Sequence, residues 1–195
     1  MKLGHNIGES DGVPIQSPLL LQQENARLLA RIAELERQVI RDTLTPLYNR
    51  RHFIDILDRW CWRAHRYGGQ YGLLFIDVDN LKTINDTHGL SAGDAILISI
   101  ANALLASVRR SDVVARIGGD EFAILLDNLP LERLTAKVEQ LSRSVKRIAI
   151  DHGDHRLTAS ISIGCTPLEA GVSSTELLSR ADRAMYQAKS ARSDP

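Results

Sequence analysis

Two pairs of acidic residues are the strongest indication of chemistry in the sequence. Asp77 and Asp79 end an apolar run, and Asp120 and Glu121 follow two glycines. Carboxylates near buried strand ends are costly unless a cation or hydrogen bonds compensate them. Mg²⁺ is commonly held by one or two carboxylates together with substrate phosphates. The two pairs therefore predict a metal-assisted phosphoryl or nucleotidyl transfer site; the alternative is that each acid only caps a turn.

Three residues near these acids have both a functional and a structural interpretation. Gly118 and Gly119 allow a ligand to approach the backbone closely, but they equally suit a tight hairpin turn. Lys82 stands three residues after Asp79, where its ammonium group can reach phosphate oxygens as a point charge. The alternative for Lys82 is a solvated lysine on a helix.

The elements that must position these residues are predicted from hydrophobic periodicity. Strands are expected over 71–78, 113–117, 121–126 and 157–166, and helices over 49–67, 79–93, 94–108, 131–150 and 174–191. The two glycines join the second and third strands as a hairpin. Because helices alternate with strands but a hairpin lies in the middle, we expect an α/β (α+β) domain with a mixed or antiparallel sheet and helices outside.

Residues 19–41 predict a helix that dimerises. The segment contains no Gly or Pro, and its apolar residues recur every seven positions. The two seam positions are occupied by Asn25, Ile32 and Val39 (a) and by Leu21, Leu28 and Leu35 (d). This pattern is typical of a two-stranded parallel coiled coil, in which an Asn at a sets the register; the alternative is an amphipathic helix that packs on its own domain. Residues 1–18 are expected to be a disordered tail, and residues 42–195 one globular domain.

The composition argues against several classes of function. The chain has 24 basic and 24 acidic residues, so no basic excess indicates a nucleic acid polymer as partner. Its two cysteines form no CxxC pair, which argues against a disulfide framework or a structural zinc site. No segment has the apolar core of a signal peptide or the roughly 20 apolar residues needed to cross a bilayer. We therefore expect a cytoplasmic protein without a membrane partner.

Residues 118–122 (GGDEF) resemble the signature of the GGDEF domains, the bacterial diguanylate cyclases. Four further segments resemble motifs of this family in the same order: residues 42–51, residues 77–86 with Gly93 and Asp94, residues 162–164, and residues 181–189. The resemblance extends from about residue 42 to residue 192. It therefore covers essentially the whole predicted globular domain.

The resemblance implies a fold, a reaction and a partner. The fold is GGDEF or palm-like, with a central, mostly antiparallel sheet surrounded by helices. The reaction joins two GTP molecules into cyclic di-GMP and releases two pyrophosphates, with Mg²⁺ or Mn²⁺ as cofactor. Each protomer is expected to bind one GTP, so that two active sites face each other in a homodimer formed by the N-terminal coiled coil.

The resemblance also assigns roles to residues of this chain. Asp77, the backbone carbonyl of Val78 and Asp120 are expected to hold the metal. Glu121 is expected to bind metal or to help deprotonate the attacking 3′-hydroxyl, which makes Asp120 and Glu121 the catalytic pair. The implied GTP contacts are Asn85 and Asp94 at the guanine edge, Lys82 and Lys189 at the phosphates, and Gly119 beside the substrate.

A second site is implied at Arg109 and Asp112, which resemble the inhibitory RxxD site of the family. This site is expected to bind the product cyclic di-GMP, with Arg109 on phosphate or guanine and Asp112 accepting guanine protons. The alternative is a helix end whose basic residues interact favourably with the helix dipole, followed by a turn.

The chain departs from the family pattern at several positions. Pro46 replaces a common Gly, Leu81 a common Phe, and Leu90 a common His, with His88 two residues earlier. The stretch after Lys189 also lacks the usual Gly. None of these changes removes a predicted metal ligand or base. Two other functions stay open: a cyclic di-GMP receptor without turnover, and another Mg²⁺-dependent nucleotidyl cyclase or transferase on the same fold.

Overall fold

The computed structural model describes residues 18–193, and it divides the chain into two units with the boundary between Arg37 and Gln38. The first helix, α1, spans Pro18–Ile40, so the helix predicted over 19–41 is confirmed to within one residue at each end. Its first residue is a proline, which is favoured in the first turn because it has no N–H to satisfy. Of the tail predicted over 1–18, residues 1–17 lie outside the described residues, and Pro18 is the first residue of α1.

The second unit contains the remaining helices and strands. Their bounds are β1 Tyr48–Asn49, α2 Arg50–Tyr67, β2 Gly72–Val78, α3 Leu81–His88, α4 Leu90–Ala106, β3 Val113–Arg116, β4 Glu121–Leu126, α5 Leu134–Lys146, β5 Ala149–His152, β6 His155–Thr158, β7 Ile161–Pro167 and α6 Ser174–Ser193. Two of these helices begin at side-chain caps, because the Asn49 side chain accepts from the His52 N–H and the Ser173 hydroxyl accepts from the Glu176 N–H. None of the helices in the described part combines the length and apolar composition needed to span a bilayer.

The main sheet has the strand order β1-β3-β4-β2-β7. Only the short β1–β3 pair is parallel, while β3, β4, β2 and β7 pair antiparallel. The expected mixed, mostly antiparallel sheet with a β3–β4 hairpin at its centre is therefore confirmed.

Both faces of the interior strand β2 are covered by helices. Leu73 and Phe75 pack with residues of α2 and α6, whereas Leu74 and Ile76 pack with residues of α4 and α5. A strand buried on both faces is apolar at consecutive positions rather than at alternate ones, which explains the unbroken apolar run that precedes Asp77.

The segment between α5 and α6 differs from the prediction. In place of the helix expected over 131–150, the chain has a single 3₁₀ turn, Leu131–Arg133, followed by α5. Helix α5 ends at Lys146, four residues earlier than predicted. The strand expected over 157–166 is divided into β6 and β7, and β5 and β6 form a separate two-stranded sheet. The reason is tertiary: Gly153 takes a φ of 58° in the turn between β5 and β6, and Ile150 packs against the core on the α4 side.

Helix α6 touches the sheet directly at Gly164 in β7. A Cβ at this position would lie 2.1 Å from the Ala181 carbonyl oxygen and 2.1 Å from the Met185 nitrogen. Backbone atoms cannot move aside as side chains can. Gly164 therefore sets the distance between β7 and the helix that carries Lys189.

We expect Gly164→Ala to lower the free energy of unfolding by about 1–3 kcal/mol, the usual cost of overpacking a core. Denaturant titration of both variants measures the change. Gly119→Ala is the matched control, since a Cβ there meets no atom within 4 Å. Equal stability of the two variants would contradict the close approach of α6 to β7.

Candidate active site

The register of β2 and β4 brings the two predicted acidic pairs together. Asp77 lies opposite Glu121 in this antiparallel pair. One residue further on, the Val78 N–H donates to the Asp120 carbonyl at 3.0 Å. The backbones that carry Asp77, Val78, Asp120 and Glu121 are thus joined at one end of the sheet.

A lysine from α6 neutralises part of this acidic charge. Lys189 Nζ donates to Asp77 Oδ1 at 2.5 Å, and the Asp77 side chain is only 14% exposed. Burial raises the pKa of Asp77, the charges of Asp120 and Asp79 add to the rise, and Lys189 partly offsets it. In turn, the hydrogen bond to Asp77 raises the pKa of Lys189. The site is a carboxylate cluster that attracts cations.

Asp79 has a structural role and is not counted as part of this carboxylate cluster. Its two carboxylate oxygens accept from the hydroxyls of Ser160 at 2.7 Å and Ser162 at 2.8 Å. Its N–H also donates to the Ser160 carbonyl. For Asp79, the alternative that an acid after a strand serves as a structural cap is correct.

Glu121 folds back over Gly118, and this contact explains the first glycine of the signature. A Cβ on Gly118 would lie 2.2 Å from Glu121 Oε2, whereas a Cβ on Gly119 would meet no atom within 4 Å. Neither glycine has a positive φ, so backbone freedom is not the reason for either. Gly118 makes room for the Glu121 carboxylate, and Gly119 leaves the space beside the turn open.

Burial and neighbouring charges change the acidity of Glu121. Burial raises its pKa first, the charges of Asp120, Asp182 and Asp77 raise it further, and the charge of Arg50 opposes them. Such a carboxylate is a stronger base than one in water. It borders a cavity of about 420 Å³ between α2 and α6, whose lining includes Arg50, Phe75, Leu178 and Asp182.

Helices α3 and α4 bring the predicted guanine-binding residues together. The Asn85 side chain lies against Gly93, where a Cβ would be 1.9 Å from Asn85 Oδ1. That oxygen is buried and, among the described residues, has no hydrogen-bond partner. Asp94, the next residue, is exposed. An unsatisfied buried acceptor is costly, and in the part of the chain that the structure describes the Asn85 amide is placed here without a hydrogen bond that would give it a structural role.

The turn between β2 and α3 depends on an unusual backbone conformation. Asn80 has a φ of 58°, a region that asparagine tolerates better than most residues. It places Lys82 in the first turn of α3, where the side chain is exposed. The Lys82 side chain is therefore accessible to a ligand, but in the described part of the chain it makes no hydrogen bond or ion pair with Asp77, Asp120 or Glu121.

The residues present fit a divalent cation that shares its ligands with a substrate. Among the described residues, no group of three or more His, Cys, Asp or Glu side chains is arranged to hold a metal by itself. Mg²⁺ commonly takes only one or two carboxylates and completes its shell with phosphates and water. The cationic Lys189 bound to Asp77 indicates that positive charge is favoured here.

The predicted RxxD residues border a second cavity on the other side of the domain. The Arg109 N–H donates to Asp112 Oδ2 at 2.8 Å, and the Asp127 N–H donates to Asp112 Oδ1 at 3.0 Å. The cavity is about 350 Å³ in volume and is also lined by Arg133 and Lys137. Burial lowers the pKa of Lys137, and its Nζ donates to the Ser107 carbonyl. The turn thus fixes Asp112 beside three cationic side chains.

Sequence reasoning assigned no role to four basic residues around these two sites. Arg133 and Lys137 line the second cavity, and Arg50 and Arg116 contact the signature turn. Arg116 lies two residues before the signature, so its position beside the turn is a local feature of the sequence. The other three lie on helical segments, where basic residues are too common to single out.

The fold and the site together define an α+β domain with a carboxylate centre at the end of an antiparallel strand pair. The family model described as "Diguanylate cyclase, GGDEF domain" matches residues 39–195. The chain therefore belongs to the GGDEF domain family of diguanylate cyclases.

Similar proteins of this family come from several bacteria. The chain is 33% identical to the probable diguanylate cyclase DgcC of Escherichia coli K12, over 89% of this chain and 48% of DgcC. It is 38% identical to the diguanylate cyclase DgcM of the same strain, over 80% of this chain and 37% of DgcM. The chain thus spans about half or less of the length of these relatives.

A solved structure has the same architecture. The coiled coil and GGDEF domain of DgcB from Caulobacter crescentus, in complex with c-di-GMP, superposes with a TM-score of 0.82. The two sequences are 27% identical, and the match covers 87% of this chain and 91% of that one.

Proposed function

We propose that this chain is a diguanylate cyclase that condenses two GTP molecules into cyclic di-GMP and releases two pyrophosphates. The observation that carries the proposal is the pairing of β2 with β4, which brings Asp77 to the Asp120–Glu121 pair. The relatives named diguanylate cyclases support the same reaction.

In this proposal, the carboxylates and lysines divide the work of binding the triphosphate. Asp77, Asp120 and the Val78 carbonyl hold Mg²⁺ or Mn²⁺, which when bound offsets phosphate charge and lowers the pKa of the attacking hydroxyl. Lys189 and Lys82 contact phosphate oxygens. Lys189 exchanges its hydrogen bond with Asp77 for one with the triphosphate, because both partners are anionic.

Glu121 acts as the base or as a further metal ligand, and α3 and α4 select the nucleobase. The raised pKa of Glu121 makes its carboxylate better suited to accept the proton of the 3′-hydroxyl. The Asn85 amide and the Asp94 carboxylate together can bind the N–H donors and the carbonyl of guanine. Gly119 leaves room for the substrate beside the turn.

Two protomers are required, because each supplies one GTP and the two bound nucleotides must face each other. The apolar seam of α1 supports dimerisation: Leu21, Leu28, Ile32 and Leu35 are between 45% and 51% exposed in the single chain. A second copy of α1 covers these side chains as a two-stranded coiled coil. The DgcB structure, which contains a coiled coil and a GGDEF domain, is consistent with this arrangement.

The test of the proposed function is incubation of the purified protein with GTP and Mg²⁺, followed by chromatography and mass spectrometry of the product. Cyclic di-GMP and pyrophosphate in a 1:2 ratio are the expected products. ATP in place of GTP is the control for base selection. Binding of cyclic di-GMP in a calorimeter without any consumption of GTP would instead indicate a receptor.

The second cavity leads to a prediction about product inhibition. We expect Arg109→Ala to raise the inhibition constant of cyclic di-GMP by roughly 10- to 100-fold, because a charge-assisted hydrogen bond is lost. The initial rate without added product should stay close to that of the wild type. Progress curves with increasing cyclic di-GMP measure both quantities.

Arg110→Ala is the matched control for this prediction. Arg110 is the exposed neighbour of Arg109 and is not among the residues that line the cavity. If both variants are inhibited as strongly as the wild type, the cavity at Arg109 is not the inhibitory site.

A further inference from the structure

Two arginines, Arg50 at the start of α2 and Arg116 at the end of β3, hold the signature turn between β3 and β4. Arg116 Nε and Nη2 both donate to the Gly119 carbonyl, at 3.2 and 2.6 Å. Arg50 Nη1 donates to the Ile117 carbonyl at 3.0 Å. The backbone carbonyls on either side of Gly118 are therefore both bound by guanidinium groups.

Arg116 is itself held by Asp42, two residues after the end of α1. Arg116 Nη1 lies 3.4 Å from Asp42 Oδ1, and the two side chains are only 14% and 16% exposed. The same oxygen accepts from the Thr45 N–H at 2.8 Å and the Thr45 hydroxyl at 2.7 Å. Although burial alone raises the pKa of Asp42, the contacts with Thr45 and Arg116 outweigh it and lower that pKa. Asp42 is thus a well-fixed anion.

Backbone hydrogen bonds hold the two ends of the turn, because the Ile117 and Gly118 N–H groups donate to the Glu121 carbonyl, but Gly119 itself has little else to hold it. A Cβ on Gly119 would meet no atom within 4 Å, so packing does not restrain this residue. Glycine is also the residue with the most backbone freedom. The Gly119 carbonyl belongs to the peptide group that leads into Asp120. Its two bonds with Arg116, together with the bond from the Val78 N–H to the Asp120 carbonyl, therefore set the direction in which Asp120 leaves the turn.

We propose that Arg116 is a positioning residue for the condensation reaction: it fixes the Gly119–Asp120 peptide so that Asp120 and Glu121 meet Asp77, and Asp42 holds it in place. This inference rests on the proposed diguanylate cyclase activity. It also links the segment after α1 to the catalytic turn, because Asp42 is the anion on which the Arg116 side chain rests.

The structure favours this role over simple stabilisation because the guanidinium has two kinds of partner. A planar guanidinium with several N–H groups can bind a carbonyl and a carboxylate at the same time. A lysine offers a compact point charge and cannot reproduce this geometry. Arg116→Lys thus keeps the charge beside Asp42 and removes the double hydrogen bond to Gly119.

The first measurement is steady-state kinetics of Arg116→Ala, Arg116→Lys and Asp42→Asn with GTP and Mg²⁺. We expect Arg116→Ala to lower kcat by about 10- to 100-fold, the cost of a misplacement on the order of 1 Å. Calorimetry with a non-hydrolysable GTP analogue should show an unchanged affinity. Asp42→Asn should lower kcat less, and it should have no further effect in the Arg116→Ala background, because both changes act through one contact.

The second measurement, amide hydrogen exchange of the peptide covering residues 117–122, does not depend on activity. Exchange should become faster in Arg116→Ala and Asp42→Asn but not in Arg156→Ala, which removes an exposed arginine on β6.

Absence of cyclic di-GMP synthesis in the wild type would refute the proposed function, and the exchange data would still decide whether Arg116 holds the turn. Folded Arg116 variants with unchanged kcat and unchanged exchange would overturn the inference, and additive effects of Asp42→Asn and Arg116→Ala would overturn the part played by Asp42. If Arg116→Ala does not fold, Arg116→Lys and Asp42→Asn carry both measurements.

Discussion

Replacing Glu121 by Gln or Asp120 by Asn is expected to abolish the synthesis of cyclic di-GMP. Each change keeps the shape of the side chain and removes its negative charge. Loss of a positioned acid or base typically costs 10²- to 10⁴-fold in rate, and at Asp120 a proposed metal ligand is lost as well. The rate of product formation from GTP and Mg²⁺, measured by chromatography, checks this expectation.

Stability should not fall with activity in these variants, and this distinguishes a site defect from unfolding. The pKa of Glu121 is raised in the folded state, first by burial and then by Asp120. For an acid with a raised folded pKa, ionisation disfavours the folded state, so this destabilisation is present above the folded pKa and disappears as the pH falls below the unfolded pKa. Glu121→Gln should therefore be at least as stable as the wild type at neutral pH.

Asp151→Asn is the matched control for the charge change. Asp151 is exposed on β5, away from the carboxylate cluster. It should retain wild-type turnover and stability. If Glu121→Gln and Asp120→Asn also retain turnover while their melting curves match that of the wild type, the carboxylates at the β2–β4 end do not carry the reaction.

Introducing a charge into the α1 seam should produce the second large effect. Leu28→Glu places a carboxylate at a d position, where each copy of α1 meets its partner. The expected result is a folded monomer whose specific activity at micromolar concentration is roughly 10²-fold lower. The reason is that a coiled coil supplies an effective concentration in the millimolar range.

Light scattering and the concentration dependence of the rate measure this effect together. The rate per protein molecule should increase with protein concentration in Leu28→Glu and stay constant in the wild type. Ala30→Glu introduces the same charge on the exposed f position of the same helix and should leave both quantities unaltered. A Leu28→Glu variant that stays dimeric and fully active would refute the role of the seam.

Local sequence determined the elements that deliver the chemistry. The apolar run before Asp77 and the glycines before Asp120 predicted one strand that ends near acids and one that begins with them, and the structure has both as β2 and β4. Helix caps at Asn49 and Ser173 were also predictable, since capping depends on residues three positions apart. These features depend on interactions between residues close together in the sequence, so a short stretch of the chain is enough to predict them.

Only the tertiary structure decided which acids meet. Spacing alone does not distinguish Asp77 from Asp79, although the family resemblance implied Asp77; the β2–β4 register places Asp77 opposite Glu121, while Ser160 and Ser162 bind Asp79. The roles of Gly118 and Gly119 were likewise undetermined, because they depend on where the Glu121 side chain folds.

The arginine contacts and the β5–β6 hairpin could likewise not be predicted from the sequence alone. Arg116 meets Asp42 across 74 residues, and Arg50 meets Ile117 across 67; the pairing of β5 with β6 also overrides the end of the predicted helix, at residues 149–150. By itself, the sequence determined the family, the main helices and strands, and the acidic residues at one end of β2 and of β4. The folded chain alone decided which of those acids share a site and which arginines hold it, because these contacts depend on strand register and on packing between residues far apart in the chain.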